Sequence, residues 1–357
     1  MKWLNSDRMK LVFVGVVAAI ILGGRGVAIA DFVIGDAELM DEAINHPSST
    51  GINGSSLSHD GLRLYFDMRR DGGLGDFDIW VSERELPGAP WGEAVNLGPN
   101  INGPLFEEDP TISHDGLELY YWVGDKSSTP WQWQLMRSKR ASKDEPWGPA
   151  TEYTGIYPDD FSSDGLRMYF GGRWVLTGYG EGDIWMVTRG TLDEDWGDPV
   201  NLGPNVNDER RQGNPSISHD DLALFFNEDD SLLVKMSVRH TTDGDWGPAV
   251  DISATLATGH GKRYEPEISP DGRVLYFYSG GFKQRKFWQA PITPIVDFNG
   301  DGIVDAADMC IMVDHWGTDN SLCDIGPMPW GDGIVDVQDL IVLAEHLFEE
   351  VPQTPGR

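Results

Sequence analysis

Cysteine is nearly absent from this chain. Two occur in 357 residues, Cys310 and Cys323, too few for a disulfide-dense scaffold or a four-cysteine zinc site. Positive charge is also scarce, with 27 Lys and Arg against 58 Asp and Glu, a formal net charge of −31. A surface of that sign repels phosphate backbones and argues against nucleic acid as a partner. Cations, neutral polymers such as glycans, and basic proteins stay open. No glycine-rich phosphate loop, nucleophile elbow or zinc spacing occurs. Long hydrophobic runs are missing except for "LVFVGVVAAIIL", Leu11–Leu22, which is too short to favour a spanning helix. Lys2, Arg8 and Lys10 precede it, and Ala28 and Ala30 form a small-residue cleavage signal. Residues 1–30 therefore read as a signal peptide cut before Asp31, with an uncleaved anchor as the alternative. The expected location is secreted, cell-surface or periplasmic, with no membrane span after cleavage.

What is abundant is turn and aromatic chemistry: Gly 43, Pro 22 and Trp 14. Such punctuation suits many short strands. The unit "SLSHDGLRLYF" (Ser56–Phe66) recurs as Thr111–Tyr121, Asp160–Phe170, Ser216–Phe226 and Glu267–Phe277. The aligned aspartates are Asp60, Asp115, Asp164, Asp220 and Asp271, a period of about fifty residues, which signals a propeller or similar array. Asp-Gly between apolar runs predicts a hairpin. Further strands follow at Asp78–Arg84 and Asp183–Arg189, and others around "WGEAVNLG" (Trp91–Gly98) and its counterparts. Four strands per repeat make one propeller blade. The fifth repeat lacks its fourth strand, while "MDEAINHPSSTG" (Met40–Gly51) resembles Trp91–Asn102. The N-terminus is thus expected to close the last blade and remove an open sheet edge. The fold class is mainly β, a five-bladed β-propeller over residues 31–293, with six blades as the alternative.

These repeats resemble the WD40-like, TolB-type propeller family, whose mark is P-x-I-S-x-D-G-x-x-L-Y-F. The resemblance covers about residues 38–292 and implies the fold, not an activity.

Within the propeller, His59, His114 and His219 recur at hairpin tips and read as repeat grammar, held apart around the ring. The recurrent tryptophans read as blade-packing aromatics. Deviations from the repeat are more telling. Loops on one face collect Arg69, Trp122, Trp131, Arg173, Trp174, Tyr179 and Arg211 among carboxylates, a set suited to a glycan or peptide ligand. The ligand-binding candidates are Arg69, Trp122, Arg173, Trp174, Tyr179 and Arg211. Four residues before each turn aspartate stand Ser56, Thr111, Asp160, Ser216 and Glu267. Strand alternation aims that column into the central channel. Asp160 and Glu267 are therefore the catalytic candidates, an acid and base for a glycosidic bond.

After Pro294 the pattern changes to loop then helix. "DFNGDGIVDAAD" (Asp297–Asp308) places Asp297, Asn299, Asp301, the Ile303 carbonyl, Asp305 and Asp308 at calcium-loop positions, with Gly302 for the turn. Asp305 and Asp308 alone would also fit a helix capping box. A second copy keeps Asp332, Ile334, Asp336 and Asp339. Met328 and Trp330 fall at its first and third positions, and Asp324 is the candidate to reach in. Calcium is the implied cofactor. Two calcium loops, each followed by one helix, resemble a type I dockerin over about residues 295–348. That resemblance implies a small α-helical calcium-binding module at residues 294–350, with a short tail at 351–357, that attaches the chain to a cohesin-like or other cell-surface protein. The pairs Ala306–Ala307 and Val337–Gln338 take the partner-contacting positions and lack the hydroxyls common there. In an exported chain the two close cysteines predict a disulfide, worth about 3 kcal/mol; two unpaired thiols are the alternative.

The leading functional reading is a non-catalytic binding and display protein, propeller for ligand and tail for tether. The alternatives are a polysaccharide-degrading glycoside hydrolase and a purely structural protein-interaction scaffold.

Overall fold

The computed structural model describes residues 32–172, 178–228, 233–239, 241–256, 258, 263–281, 284–320, 322–326, 331 and 333–351. The expected signal segment lies outside the described residues. Five antiparallel sheets follow one another in chain order, four of them with four strands each. The first runs Thr50–Leu57, Arg63–Arg69, Asp78–Glu83 and Val95–Asn96; the second runs Phe106–Ile112, Glu118–Asp125, Gln132–Lys139 and Thr151–Glu152. The third and fourth begin at Asp160–Phe161 and Gln212–Ile217. The fifth contains Arg263–Ile268, Val274–Ser279 and Lys286–Pro294. The count of blades is five.

Each hairpin turn is built by local chemistry. The Ser58 hydroxyl donates to Asp60 at 2.6 Å, and Asp60 accepts the Leu62 N–H at 3.0 Å. The same serine–aspartate pair recurs as Ser113–Asp115, Ser162–Asp164, Ser218–Asp220 and Ser269–Asp271. The turn residue is left-handed, which glycine adopts freely at Gly61, Gly116, Gly165 and Gly272. Blade four puts Asp221 there instead, at φ 64°. Its carboxylate accepts from the Tyr169 hydroxyl at 2.6 Å and pairs with Arg239 at 2.8 Å, interactions that offset the strain.

The blades are joined by repeated arginine–tryptophan–tyrosine contacts. Arg84, Arg140, Arg189 and Arg239 each donate to the carbonyl of a turn residue, at 2.6 to 2.9 Å. Their guanidinium groups lie 4.3 to 4.4 Å over Trp91, Trp147, Trp196 and Trp246. Three of them also reach a tyrosine hydroxyl of the preceding blade: Arg84 to Tyr276, Arg140 to Tyr65 and Arg239 to Tyr169. The recurrent tryptophans thus pack blades, as their spacing implies. Apolar clusters fill the contacts between neighbours. Tyr65, Ile79, Ile112, Leu119 and Trp147 lie between blades one and two; Met40, Phe66, Trp80, Tyr278 and Phe287 lie between five and one.

The N-terminal segment closes the ring, by strands other than expected. Phe32–Ile34 and Glu38–Leu39 pair with the outer strand of blade five. Met40–Gly51 forms no strand until Thr50, but its Asn45 clamps that outer strand. The Asn45 side chain donates to the Phe287 carbonyl and accepts the Phe287 N–H, each at 2.9 Å. Asn102 and Asn207 clamp Ile79 and Ile184 in the same way.

Beyond the propeller lie two helices, α1 (Ala306–Asp314) and α2 (Val337–Glu345). Both start with a capping box, Asp305 with Asp308 and Asp336 with Asp339. Val296, Phe298, Val304, Met312, Ile325, Val335 and Leu343 make their separate core. Arg273 of blade five donates to Glu345 of α2 at 2.5 Å. The expected disulfide is not formed: Cys310 sits on the exposed side of α1, whereas Cys323 is buried in that core.

Candidate functional site

Three voids stack along the channel. The largest, about 490 Å³, opens at the mouth where the innermost strands begin. Its walls include Asn53, Glu108, Asp109, Arg211, Asn214, Asn227, Tyr264, Glu265, Tyr278 and Arg285. Below lies a void of about 50 Å³ bounded by Ser55, Tyr157, Asp159 and Glu267, among others. The lowest, about 20 Å³, is bounded by His59, Asp160, His219 and Glu267 among others.

A backbone irregularity shapes the mouth. The innermost strands of blades one, two, four and five each carry a bulge, between Ile52 and Ser55, Glu108 and Thr111, Gly213 and Ser216, and Tyr264 and Glu267. Six residues before each turn aspartate, Asp109, Asn214 and Glu265 adopt left-handed φ values of 54°, 52° and 43°. A non-glycine residue held there is strained, and bulges redirect side chains. In blade one the column holds Gly54, where a Cβ would fall 2.6 Å from the Asp109 Cα. The small residue lets the two strands approach.

The redirected groups meet one another. Asn214 donates to Glu265 at 3.1 Å, and the Glu265 N–H donates to Asn227 at 2.7 Å. Asp67 accepts the N–H of Gly54 at 2.6 Å and of Asp109 at 3.2 Å. Tyr157 donates to the Asp109 carbonyl at 2.7 Å. Arg285 donates to the Ile52 carbonyl at 2.8 Å and lies 4.0 Å over the Tyr264 ring. Tyr264 stacks on Tyr278 at 5.2 Å. Burial and the neighbouring Glu108 push the Asp109 carboxyl up to about 7. Burial raises Asp159 to about 7. Burial, with Asp109 and Asp67 nearby, raises Glu265 well above the usual carboxylate range. Near neutral pH Glu265 therefore favours its protonated, donating form, while Asp109 and Asp159 are close to half ionised.

The sequence candidates are spread over this frame. Asp160 and Glu267 both face the channel, below the mouth, and repel each other; burial raises Asp160 to about 7 and Glu267 well above its usual range. Both already accept from the next blade: Asp160 from the Ile217 N–H and Glu267 from the Leu57 N–H, each at 2.8 Å. Ser56 accepts from Ile112 at 3.2 Å and Ser216 from Ile268 at 3.1 Å. The polar column is thus an interblade clasp, and Glu267 ties blade five to blade one. Between blades two and three the Phe161 N–H is instead taken by its neighbour Asp160, at 2.8 Å.

Arg211 lines the mouth. Trp122 packs 5.6 Å from the Tyr157 ring. Arg69 pairs with Asp76 and lies 5.0 Å over Phe77, and is not among the residues that wall the mouth. Tyr179 is exposed. Arg173 and Trp174 lie outside the described residues. Trp131 and Trp133 are exposed, with Lys126 5.6 and 5.2 Å over their rings; Lys126 in turn pairs with Glu108 of the mouth at 2.8 Å. The decisive residues not singled out by sequence were Asp67, Asp109, Asp159, Glu265 and Arg285. Asp109 and Glu265 had a signal, the column two residues before the one chosen; Asp67, Asp159 and Arg285 fall in no repeat column that was singled out.

In the tail, Asp297 accepts the N–H groups of Gly300, Asp301 and Gly302 at 2.8, 3.2 and 2.9 Å. Asn299 and Asp301 accept from Asp301 and Ile303. Asp308 is buried and accepts from Phe298 at 2.7 Å and Asp305 at 2.9 Å. In the second loop Asp324 accepts from Gly333 at 2.8 Å, as Asp297 does from Gly302. Asp339 accepts from Ile325 at 2.6 Å, as Asp308 does from Phe298. Asp324 therefore takes the first loop position, which corrects the alignment that gave it to Met328. The expected ligand Asp332 lies outside the described residues. The donor set is all oxygen, which suits a hard cation. Among the described residues no three His, Cys, Asp or Glu side chains are already gathered around one point.

The fold and mouth define a five-bladed β-propeller with a polar channel entrance. No family model matches the sequence, and no curated protein matches it. Solved structures do. TolB from Acinetobacter baumannii is 12% identical with a TM-score of 0.39, covering 68% of this chain and 54% of its own, so the chain spans about half of that protein. The α-L-arabinofuranosidase PaAbf62A from Podospora anserina is 11% identical with a TM-score of 0.45, covering 72% and 96%. Zg3597, a family 117 glycoside hydrolase from Zobellia galactanivorans, is 11% identical with a TM-score of 0.45, covering 74% and 90%. At these identities the likeness concerns architecture alone, and the blade count rests on the strand pairing.

Proposed function

We propose that this chain is an exported binding protein that takes a glycan at the channel mouth and is tethered by its calcium-dependent tail. The carrying observation is the 490 Å³ entrance, walled by amides, carboxyls, Arg211 and Arg285, with exposed Trp131 and Trp133 linked to its Glu108 through Lys126. Hydroxyl-rich ligands need such mixed donors and acceptors, with indole faces for the sugar rings. In the tail, Asp297, Asn299, Asp301, the Ile303 carbonyl, Asp305 and Asp308 would hold calcium, and Asp324 with Asp336 and Asp339 would serve a second ion. Calcium there would supply folding energy rather than chemistry. A cohesin-like or other cell-surface protein is the proposed partner of this module.

The test is a glycan array with the full chain, read beside reducing-end release. Binding to one glycan class, weakened at least about tenfold by Asn214→Ala, supports the reading. No bound glycan overturns it. Release of reducing ends favours the hydrolase reading, whose supporting observation is the pair Asp109 and Asp159, which line the void just below the mouth and are raised to about 7, suited to a general acid.

A further inference from the structure

We propose that the lower end of the channel is a binding site for a divalent transition metal such as Zn²⁺ or Ni²⁺, with the imidazoles of His59 and His219 as its ligands. The sequence reading held these histidines apart around the ring, and the structure corrects it. The residue just before each turn aspartate lies in the turn two residues after the innermost strand ends, and the five innermost strands surround one axis. That column reads His59, His114, Ser163, His219 and Pro270. Blades one and four therefore bring their imidazoles together across the channel, with ring centroids 6.5 Å apart.

That separation lies at the wide limit of shared ligation. With metal–nitrogen bonds of about 2.1 Å, two imidazoles on one ion hold their centroids roughly 5 to 6.5 Å apart, from tetrahedral to trans. The void between them is about 20 Å³, enough for one water-sized occupant. Asp160 and Glu267 line the same void and, once the cation displaces their protons, would balance the positive charge. Imidazole favours zinc, nickel or copper over calcium, so this site is distinct in chemistry from the oxygen loops of the tail.

Two neighbours support the arrangement. Ser163 donates to the His219 carbonyl at 2.7 Å and fixes that turn against blade three. His114 packs on the Gly165 turn, where a Cβ would fall 2.5 Å from its ring. Among the described residues three ligands are not yet gathered. Ligation closes by rotation of the exposed His219 side chain toward the half-buried His59.

The experiment uses the full chain, stripped with chelator and returned to excess Ca²⁺, then titrated calorimetrically with Zn²⁺ or Ni²⁺. One transition-metal ion per chain is expected. His219→Gln, at an exposed position, should weaken binding by more than about tenfold, the loss known for outer-shell partners alone. Asp297→Asn should leave it unchanged. His59→Gln is read beside circular dichroism, and Ni²⁺ broadening of the His59 and His219 ring signals in the wild-type chain gives an independent reading. No binding, binding unchanged in His219→Gln, or broadening confined to other histidines would overturn the proposal.

Discussion

Removing the Asn45 side chain should open the ring at its seam. Asn45 makes three hydrogen bonds, donating to the Met40 and Phe287 carbonyls and accepting the Phe287 N–H, all at 2.9 Å. The residue is 7% exposed, so water cannot easily replace them. At about 1 kcal/mol net per bond, Asn45→Ala should cost about 3 kcal/mol. The Phe287 N–H is then left buried without a partner, while its carbonyl keeps the Met40 N–H at 3.1 Å. For a domain of this size that lowers Tm by roughly 6 to 12 °C. Asn102→Ala removes three comparable bonds, two to Ile79 and one to Asn96, and should cost a similar amount. The two variants should differ in where they loosen. Asn45 joins segments 242 residues apart, so only its loss should speed hydrogen exchange across Lys286–Pro294. Calorimetry with exchange mass spectrometry checks both parts. A loss under about 1 kcal/mol, or unchanged exchange in that strand, would refute the clamp.

Stability should fall between pH 6.5 and 8. Glu107, Asp109, Asp159 and Asp160 are all raised to about 7, chiefly by burial, so the folded state binds more protons than the unfolded chain in that window. His59, lowered to about 4 by burial, and His114, lowered likewise, act with opposite sign and mainly below pH 6.5, so above it the carboxyls dominate. A Tm that rises over this interval would contradict their burial. Chelator should lower the melting of the tail, and Asp297→Ala should abolish that sensitivity; a transition indifferent to chelator would sink the calcium reading. In the native chain Cys310 should react with a thiol reagent and Cys323 only after unfolding. Two unreactive thiols would restore the disulfide.

The propeller was legible because its grammar is local. A serine, an aspartate and a glycine set each turn within a few residues, and alternation sets the strand that follows. The clasp column was legible for the same reason: strand alternation placed Asp160 and Glu267 toward the axis. Their use was not legible. Whether a channel carboxylate meets a ligand or the next blade's N–H depends on residues 210 positions away, as with Glu267 and Leu57. The mouth was hidden by the bulges, which break alternation and turn Asp109, Asn214 and Glu265 by one residue relative to a regular strand. In the tail, the first loop followed a fixed spacing. The second needed coordinates, because an insertion between Ile325 and Gly333 moves Asp324 into the first position.

Sequence by itself determined the repeat, the strands within it, the need for an N-terminal closure and the first oxygen-rich loop, since each rests on neighbours in the chain. Only tertiary structure decided which groups share a space. Closing five blades on one axis brings His59 within 6.5 Å of His219, although 160 residues separate them. It also gathers Glu108, Asp109 and Glu265 around one entrance and leaves Cys310 exposed while Cys323 is buried. Those outcomes depend on curvature and convergence, which local pattern does not encode.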